Sequence, residues 1–237
     1  MRTVAAPDLD ALCVELAAEL IGIVRDRQSE GAVPCIVLTG GSGGAASLAA
    51  LAAHPDRDAV DWSRVRFLWG DERWLPAGDP ERNDRLADDT LFAAVGVDPS
   101  LVHRVGAAGG DLSLDEAAEE YARLVAGIDR IDVAINGVGP DGHVASLFPG
   151  RPEVELVGAE APAAVAVRES PKPPPERVSL TLPTINRAHR VWLLAAGEGK
   201  RNAVGDVVAG RPTPAGLLSG TAETVLWADE AALGTAG

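Results

Sequence analysis

The sequence lacks any apolar stretch near the roughly 18 to 20 residues that a membrane-spanning helix needs. Its first residues, Met1 to Val4, also carry no apolar core of a secretion signal. These two absences argue against a helical membrane protein and against export. We therefore expect a cytoplasmic protein with no membrane partner.

Positive charge is also scarce. The 237 residues include 21 Lys and Arg against 35 Asp and Glu, which gives a formal net charge of −14. Only two of the basic residues are lysines, Lys172 and Lys200. A surface this acidic repels polyanions, so we expect no nucleic-acid partner. A small anion needs a local basic pocket, which must draw mostly on arginine, and the positions of the two lysines become informative.

Cysteine is equally rare. Cys13 falls in a helical pattern and Cys35 begins an apolar run, and neither has neighbours at metal-ligand spacing. We expect two small buried side chains and no bound metal. With 46% hydrophobic and 24% charged residues, the chain has the composition of a globular protein. No flexible linker or repeat divides it, which favours a single domain over residues 1–237.

Apolar runs and helical patterns alternate along the chain. An amphipathic helix extends from Asp8 to near Gly31, and short apolar runs then occupy residues 35–38, 65–69, 131–136 and 191–196. Helical patterns follow three of these runs, at residues 45–53, 86–95 and 202–209. This alternation predicts an α/β fold with a mainly parallel, Rossmann-like sheet covered on both faces. Because ligands bind at the carboxyl ends of such strands, the four loops that follow the apolar runs are expected at one edge.

The first of these loops is rich in glycine and permits three interpretations. It consists of Gly40, Gly41, Ser42, Gly43 and Gly44. A glycine loop that opens a helix offers free amides to a phosphate, although the lysine of a P-loop is missing. The same residues match the Gly-x-Ser-x-Gly elbow of serine hydrolases, with Ser42 as nucleophile. Only about forty residues precede the loop, too few for the usual elbow architecture, and a tight structural turn is the third interpretation.

The loop at residues 137–143 fits Gly-x-Gly-x-x-Gly, the dinucleotide fingerprint. That fingerprint opens a long helix, whereas Phe148-Pro149-Gly150 closes this segment, so we expect no nicotinamide cofactor. His143 is the more informative residue. A histidine on a strand-end loop, two residues after Asp141, is suited to act as a general base near neutral pH.

Charged residues in two other loops are candidates for anion binding. Asp71, Glu72 and Arg73 directly follow an apolar run, and an arginine at a strand end can hold a phosphate or carboxylate with two hydrogen bonds. Lys200 stands in Gly-x-Gly-Lys at the start of a helix. Between them, residues 171–175 read Pro-Lys-Pro-Pro-Pro, a stiff segment that we interpret as a rigid connector.

Together these blocks resemble the bacterial 6-phosphogluconolactonases. The similarity spans residues 38–200 in family order, and it rests on four blocks: residues 70–76 with Asn83, residues 137–150, residues 170–182 and residues 192–200. It implies a fold related to glucosamine-6-phosphate deaminases and ribose-5-phosphate isomerases. It also implies hydrolysis of 6-phosphoglucono-δ-lactone without a cofactor. The chain departs from the family pattern at Gly43-Gly44 and at Val144, where hydroxyl residues or proline are frequent.

For this reaction we expect His143 to activate a water, with Asp141 and Asp71 both candidates to orient the ring. Arg73 is a candidate for the oxyanion or for the phosphate. The phosphate site is expected to combine the amides around Gly40, Gly41, Ser42 and Gly43 with cations, and the candidates are Lys200, Arg177 and, more weakly, Arg168. We expect a monomer or weak homo-oligomer.

Three alternatives remain at this stage. One is a sugar-phosphate-binding module without catalysis, although we expect no DNA-binding head of the kind that usually accompanies such modules. A glucosamine-6-phosphate deaminase would need a carboxylate shortly after His143, where this chain has Leu147-Phe148-Pro149. The third is the Ser42 hydrolase.

Overall fold

Six parallel strands form the central sheet of the computed structural model, which describes residues 1–158 and 160–235. In spatial order they are β1 (Arg2–Ala6), β9 (Glu223–Asp229), β8 (Arg190–Ala195), β5 (Val133–Gly137), β2 (Cys35–Leu38) and β3 (Arg66–Trp69). Every neighbouring pair is parallel. The predicted parallel sheet is confirmed, and β1 and β9 extend it on one side beyond the strands that the sequence indicated.

Helices cover both faces of this sheet. They are α1 (Leu9–Ser29), α2 (Gly41–Ala53), α3 (Asn83–Asp89), α4 (Leu91–Ala94), α5 (Leu114–Ala126), α6 (Leu182–Asn186), α7 (Arg201–Val208) and α8 (Glu230–Leu233). Successive residues of a strand point to opposite faces, so Ile36 and Leu38 of β2 pack with α1 and α2, while Cys35 and Val37 pack on the α5 side. The expected double coverage is therefore confirmed. Within the described residues, no helix combines the length and apolar character of a bilayer-crossing segment.

The first helix shows how the local sequence specifies its element. Leu12, Leu16, Leu20 and Val24 are fully buried and recur at four-residue spacing, as an amphipathic helix requires. The carboxylate of Asp8 accepts a hydrogen bond from the amide of Ala11 (2.9 Å), which caps the helix where the sequence predicted its start.

A second, three-stranded antiparallel sheet was not predicted. It consists of β4 (Asp71–Arg73), β7 (Arg177–Leu180) and β6 (Ala164–Val167), in that order. The three charged residues of β4 resemble a solvated turn when taken alone. They form a strand because β7, about a hundred residues later in the chain, pairs with them.

Two helices begin or break differently from the prediction. The helical pattern at residues 86–95 is divided into α3 and α4 at Thr90, whose hydroxyl donates to the carbonyl of Leu86 (2.6 Å) and so competes with the helical ladder. Helix α2 begins at Gly41 rather than at Ala45. This earlier start places the glycine loop inside the first turn of the helix.

Candidate active site

A cleft of about 320 Å³ lies at the carboxyl ends of the central strands. The loop after β2 contributes Gly40, Gly41, Ser42 and Gly43, the loop after β5 contributes His143, and the loop after β8 contributes Lys200. The small sheet and its connections add a second wall, made by Asp71, Arg73, Arg177, Lys172 and Pro173. The topology thus gathers most of the residues that the sequence singled out into one cavity.

His143 is held by a carboxylate and a phenyl ring. Nδ1 of its imidazole lies 2.5 Å from Oδ1 of Asp141, and its ring packs against Phe148 with 4.6 Å between the centroids. The carboxylate favours the tautomer that carries the proton on Nδ1, so Nε2 keeps its lone pair. In the described part of the chain, no hydrogen bond engages Nε2. This nitrogen is available to accept a proton.

The surroundings of His143 favour its neutral form. Burial lowers its pKa, the hydrogen bond and charge of Asp141 raise it, and the charges of Lys172 and Lys200 lower it, with a net shift below the ordinary histidine value. Burial alone would raise the pKa of Asp141, but the contact with His143 holds that pKa below its usual range. The pair is therefore set to present a neutral imidazole beside an ionised carboxylate at pH 7.

The glycines before His143 leave room for its imidazole ring. A Cβ on Gly139 would lie 2.0 Å from the imidazole ring, a distance that no side chain tolerates. The amide of Gly139 donates to the carbonyl of His143 (2.8 Å), and the amide of Gly142 donates back to the carbonyl of Gly139 (3.0 Å). No helix follows this turn within residues 138–151. The turn therefore lacks the helix that a dinucleotide fingerprint opens, and its glycines make room for the His143 ring.

The glycine loop after β2 exposes three amides at the start of α2. The amide of Gly44 donates to the carbonyl of Gly40 (3.2 Å), whereas those of Gly41, Ser42 and Gly43 donate to no acceptor among the described residues. A Cβ on Gly40 would fall 1.8 Å from Oδ1 of Asn83, so this close approach requires glycine. Three free amides at the positive end of a helix provide a site for an anion.

Ser42 lacks the partners of a catalytic serine. It lies exposed in the first turn of α2, and over residues 1–158 and 160–235 no hydrogen bond joins its hydroxyl to a histidine. The base of a serine hydrolase must lie within hydrogen-bond reach of the nucleophile. The geometry therefore does not favour the Ser42 hydrolase.

Asp71 does not contact His143. Its Oδ2 accepts a hydrogen bond from the hydroxyl of Ser146 (2.6 Å) and one from the guanidinium of Arg177 (3.4 Å). Of the two carboxylates considered as orienting groups, Asp141 is the one that the structure places on the imidazole. Asp71 instead joins the small sheet to the loop after His143.

Glu72 organises the segment that presents Arg73, a role that the sequence did not suggest. Its buried carboxylate accepts from the amides of Arg73 (2.7 Å), Asn83 (2.8 Å) and Asp84 (2.8 Å), so it caps the start of α3. The guanidinium of Arg73 donates to the carbonyl of Glu81, and its Nε has no partner in the described residues. That nitrogen is buried, so the donor that Arg73 retains for a ligand in the cleft is Nη2, which makes no hydrogen bond within the described residues.

Both lysines of the chain line the cleft. Lys200 was predicted to do so, and burial together with the charge of Lys172 lowers its pKa. Lys172 was missed, because the polyproline segment was interpreted as a connector. The scarcity of lysine was the available signal: two lysines in an acidic chain converge on one cavity.

Arg177 and Arg168, the two other arginines considered for the phosphate site, differ in position. Arg177 is buried at the cleft wall, where it contacts the polyproline segment as well as Asp71. Arg168 lies outside the cleft lining, and its exposed guanidinium pairs with Asp115 (2.7 Å). We therefore leave Arg168 out of the phosphate site.

Comparison with known proteins identifies similar chains. Residues 7–227 match the family model described as glucosamine-6-phosphate isomerases/6-phosphogluconolactonase. A 6-phosphogluconolactonase of Streptomyces coelicolor is 44% identical over 239 residues, covering 95% of this chain and 90% of the relative. One from Mycobacterium tuberculosis is 39% identical over 213 residues, covering 86% of this chain and 84% of its own.

Solved structures agree with these sequences. The crystal structure of 6-phosphogluconolactonase from Thermotoga maritima has a TM-score of 0.84 and 26% identity, and it covers 96% of this chain and 99% of its own. A monomeric glucosamine-6-phosphate deaminase has a TM-score of 0.82 at 19% identity, with full coverage of both chains at 100%. The second similarity shows a common fold alone.

Proposed function

The chain belongs to the family of glucosamine-6-phosphate isomerases and 6-phosphogluconolactonases, and we propose that its cleft hydrolyses 6-phosphoglucono-δ-lactone with His143 as the general base. We assign lactone hydrolase activity to this chain because 6-phosphogluconolactonases are 44% and 39% identical to it over most of its length. This reaction produces 6-phosphogluconate in the pentose phosphate pathway. The residue roles are argued from the geometry of the cleft.

The observation that carries the mechanism is the Asp141–His143 pair. Nε2 of the neutral imidazole accepts a proton from a water molecule as the water oxygen attacks the lactone carbonyl. The carbonyl electrons move to its oxygen, which becomes a tetrahedral oxyanion. Collapse of this intermediate breaks the bond to the ring oxygen, which takes the proton from the imidazolium. A positioned base of this kind typically contributes about 10²- to 10⁴-fold in rate.

The positive lining of the cleft suits the two anionic parts of this reaction. The amides of Gly41, Ser42 and Gly43, together with Arg73 and Lys200, offer donors to the phosphate. The charge of Lys172 lowers the pKa of His143. In this mechanism Lys172 adds a cation near the reacting carbonyl. Binding of the remote phosphate orients the carbonyl toward the base.

Hydrolysis is favoured over the deaminase reaction by the residues after His143. The buried Val144, Leu147 and Phe148 occupy this stretch, and no carboxylate stands between His143 and Gly150. The deaminase structure shares the fold at 19% identity, which carries no argument for its activity.

The test is the initial rate of 6-phosphogluconate formation from freshly generated lactone, with spontaneous hydrolysis subtracted. We expect rapid turnover by the wild type and much slower turnover of glucono-δ-lactone, which lacks the phosphate. Ser42→Ala should retain the activity. Tight binding of 6-phosphogluconate by a folded protein without turnover would instead support the binding module, and loss of activity in Ser42→Ala would support the serine hydrolase.

Other properties of the protein stay predictions. We expect a single domain, a monomer or weak homo-oligomer, a cytoplasmic location, no nucleic-acid partner, and activity without a metal or cofactor. Size-exclusion chromatography, cell fractionation and assays in the presence of a chelator test these expectations separately.

A further inference from the structure

The polyproline segment, residues 171–175, joins β6 to β7 without regular secondary structure. Proline has no amide hydrogen, so four of its five residues cannot donate a backbone hydrogen bond. Its carbonyls still need donors if the segment is to keep one conformation over the cleft. The donors therefore have to come from elsewhere in the chain.

The amide of Ser170 donates to the carbonyl of Pro175 (2.9 Å), and one buried side chain supplies the donors for the three carbonyls before it. The guanidinium of Arg177 donates to the carbonyls of Lys172 (3.2 Å), Pro173 (2.9 Å) and Pro174 (3.2 Å). A planar group with five N–H donors can hold three successive carbonyls, which an ammonium group cannot match in geometry.

Few donors of Arg177 remain for a ligand. Three of its N–H groups hold the segment, and one more points to Asp71, which is itself fixed by Ser146. One of the five is left. Arg177 is only 5% exposed, whereas an arginine that binds substrate phosphate usually directs its two-donor edge at the ligand. Its contacts are those of a structural clamp.

The segment held in this way carries Lys172 into the cleft. Lys172 lines this cleft together with His143 and with Lys200 on the loop after β8, and the charges of both lysines lower the pKa of His143 while that of Asp141 raises it. The remaining charged residues of the cleft lining are Asp71, Arg73 and Arg177.

We propose that Arg177 is a positioning residue, which holds the polyproline segment so that the side chain of Lys172 enters the cleft that His143 lines. Its effect on the reaction passes through Lys172. The kinetic consequence rests on the proposed function, but the placement of Lys172 does not.

The placement is tested by titrating the His143 ring by NMR in the wild type, Lys172→Met, Arg177→Lys and the double variant. Removing a nearby cation raises a histidine pKa, so Lys172→Met should move the His143 titration to higher pH. Arg177→Lys keeps a charge beside Asp71 but cannot hold three carbonyls, and it should shift the titration in the same direction. The double variant should match Lys172→Met alone.

Lys200→Met is the matched control. It removes the other lysine near His143, whose loop Arg177 does not touch, so its shift should add to that of Arg177→Lys. A wild-type titration in Arg177→Lys beside a shifted one in Lys172→Met would overturn the proposal. So would fully additive shifts in the Lys172→Met/Arg177→Lys variant.

Kinetics give a second readout. Lys172→Met and Arg177→Lys should each lose about tenfold in kcat/KM, and the double variant should also lose about tenfold rather than a hundredfold. If Arg177 bound the phosphate directly, the two losses would multiply. Should Arg177→Lys lose its cooperative melt, Arg177→Gln offers the same cycle, because it retains one amide donor. A wild type without lactonase activity would refute the proposed function, while the NMR titration would still decide the placement of Lys172.

Discussion

The two loops that carry the lysines reach the cleft by different means. Lys200 closely follows β8 of the central sheet, and its amide donates to the carbonyl of Gly197 (3.0 Å) before α7 begins. The carboxylate of Asp229, at the end of the neighbouring β9, accepts from the amide of Gly197 (2.9 Å). The segment of Lys172 is closed by one backbone hydrogen bond, from the amide of Ser170 to the carbonyl of Pro175 (2.9 Å), and its carbonyls at residues 172–174 depend on the guanidinium of Arg177.

This difference separates a position set by topology from one set by a side chain. The loop of Lys200 is anchored at one end by β8 and at the other by α7, and the carboxylate of Asp229 holds its Gly197 amide. The polyproline segment, three of whose carbonyls share one guanidinium group, should lose its conformation when that group is removed. We expect substitutions outside the cleft to leave the position of Lys200 unchanged and to displace Lys172.

The largest effect should come from removing both charges at once. Lys172→Met/Lys200→Met deletes the only lysines and should lower kcat/KM by about 10²- to 10³-fold, because each charged contact to an anionic ligand contributes a factor of ten or more and Lys172→Met alone accounts for about tenfold. Steady-state kinetics of the two single variants and the double variant would measure this. A rise in KM alone would place a lysine on the phosphate, whereas a fall in kcat would place it on the oxyanion.

Displacing the ring of His143, which lines the cleft with both lysines, should have the next largest effect. Gly139→Ala places a Cβ 2.0 Å from the His143 ring, so the ring must shift. We expect a loss of about 10²-fold in kcat with a cooperative melt retained. The exposed Gly96→Ala, whose Cβ meets no atom within 4 Å, serves as the control and should keep wild-type kinetics. Equal rates for Gly139→Ala and the wild type would show that the position of the ring does not matter.

The frame of the Lys200 loop is tested through stability. Asp229 accepts from the amides of Gly197 and Ala232, so Asp229→Ala should reduce the free energy of unfolding by about 1 to 3 kcal/mol. Urea denaturation measures this change. Ser113→Ala removes the capping box of α5, away from the cleft, and should reduce the unfolding free energy by about 1 kcal/mol without a kinetic effect. A kinetic loss common to both variants would contradict the assignment of Asp229 to the Lys200 loop.

The smallest effect is a displacement of the pH profile. Because burial lowers the pKa of His143, the acid limb of kcat/KM should lie below the ordinary histidine value of about 6.5. Lysine charge lowers this pKa further, so Lys200→Met should move the limb to higher pH. The carboxylate of Asp141 raises the pKa, so Asp141→Asn should move the limb to lower pH. Shifts of the same sign in these two variants would contradict the proposed electrostatics.

Much of the central fold could be predicted from local patterns. The apolar runs and glycine loops specified four of the six parallel strands and the edge at which their loops meet, and Asp8 marked the start of α1. These features depend on residues close together in the sequence. His143, Lys200 and the glycine loop were found for the same reason, since each directly follows a central strand.

The small sheet and Lys172 could not be found in this way. Strand β4 pairs with β7, about a hundred positions later in the chain. The residues of β4 are all charged, so its sequence alone does not predict a strand. The position of Lys172 depends on that pairing and on the side-chain contacts of Arg177. Composition alone carried a signal, through the scarcity of lysine, but it gave no location.

The central claim is that His143 activates water in this cleft. The most direct measurement is the initial rate of 6-phosphogluconate formation by His143→Ala and by the wild type, at equal concentration of folded protein and with spontaneous hydrolysis subtracted. The account predicts a loss of about 10²- to 10⁴-fold in kcat in the variant. A His143→Ala protein that turns over the lactone as fast as the wild type would contradict it.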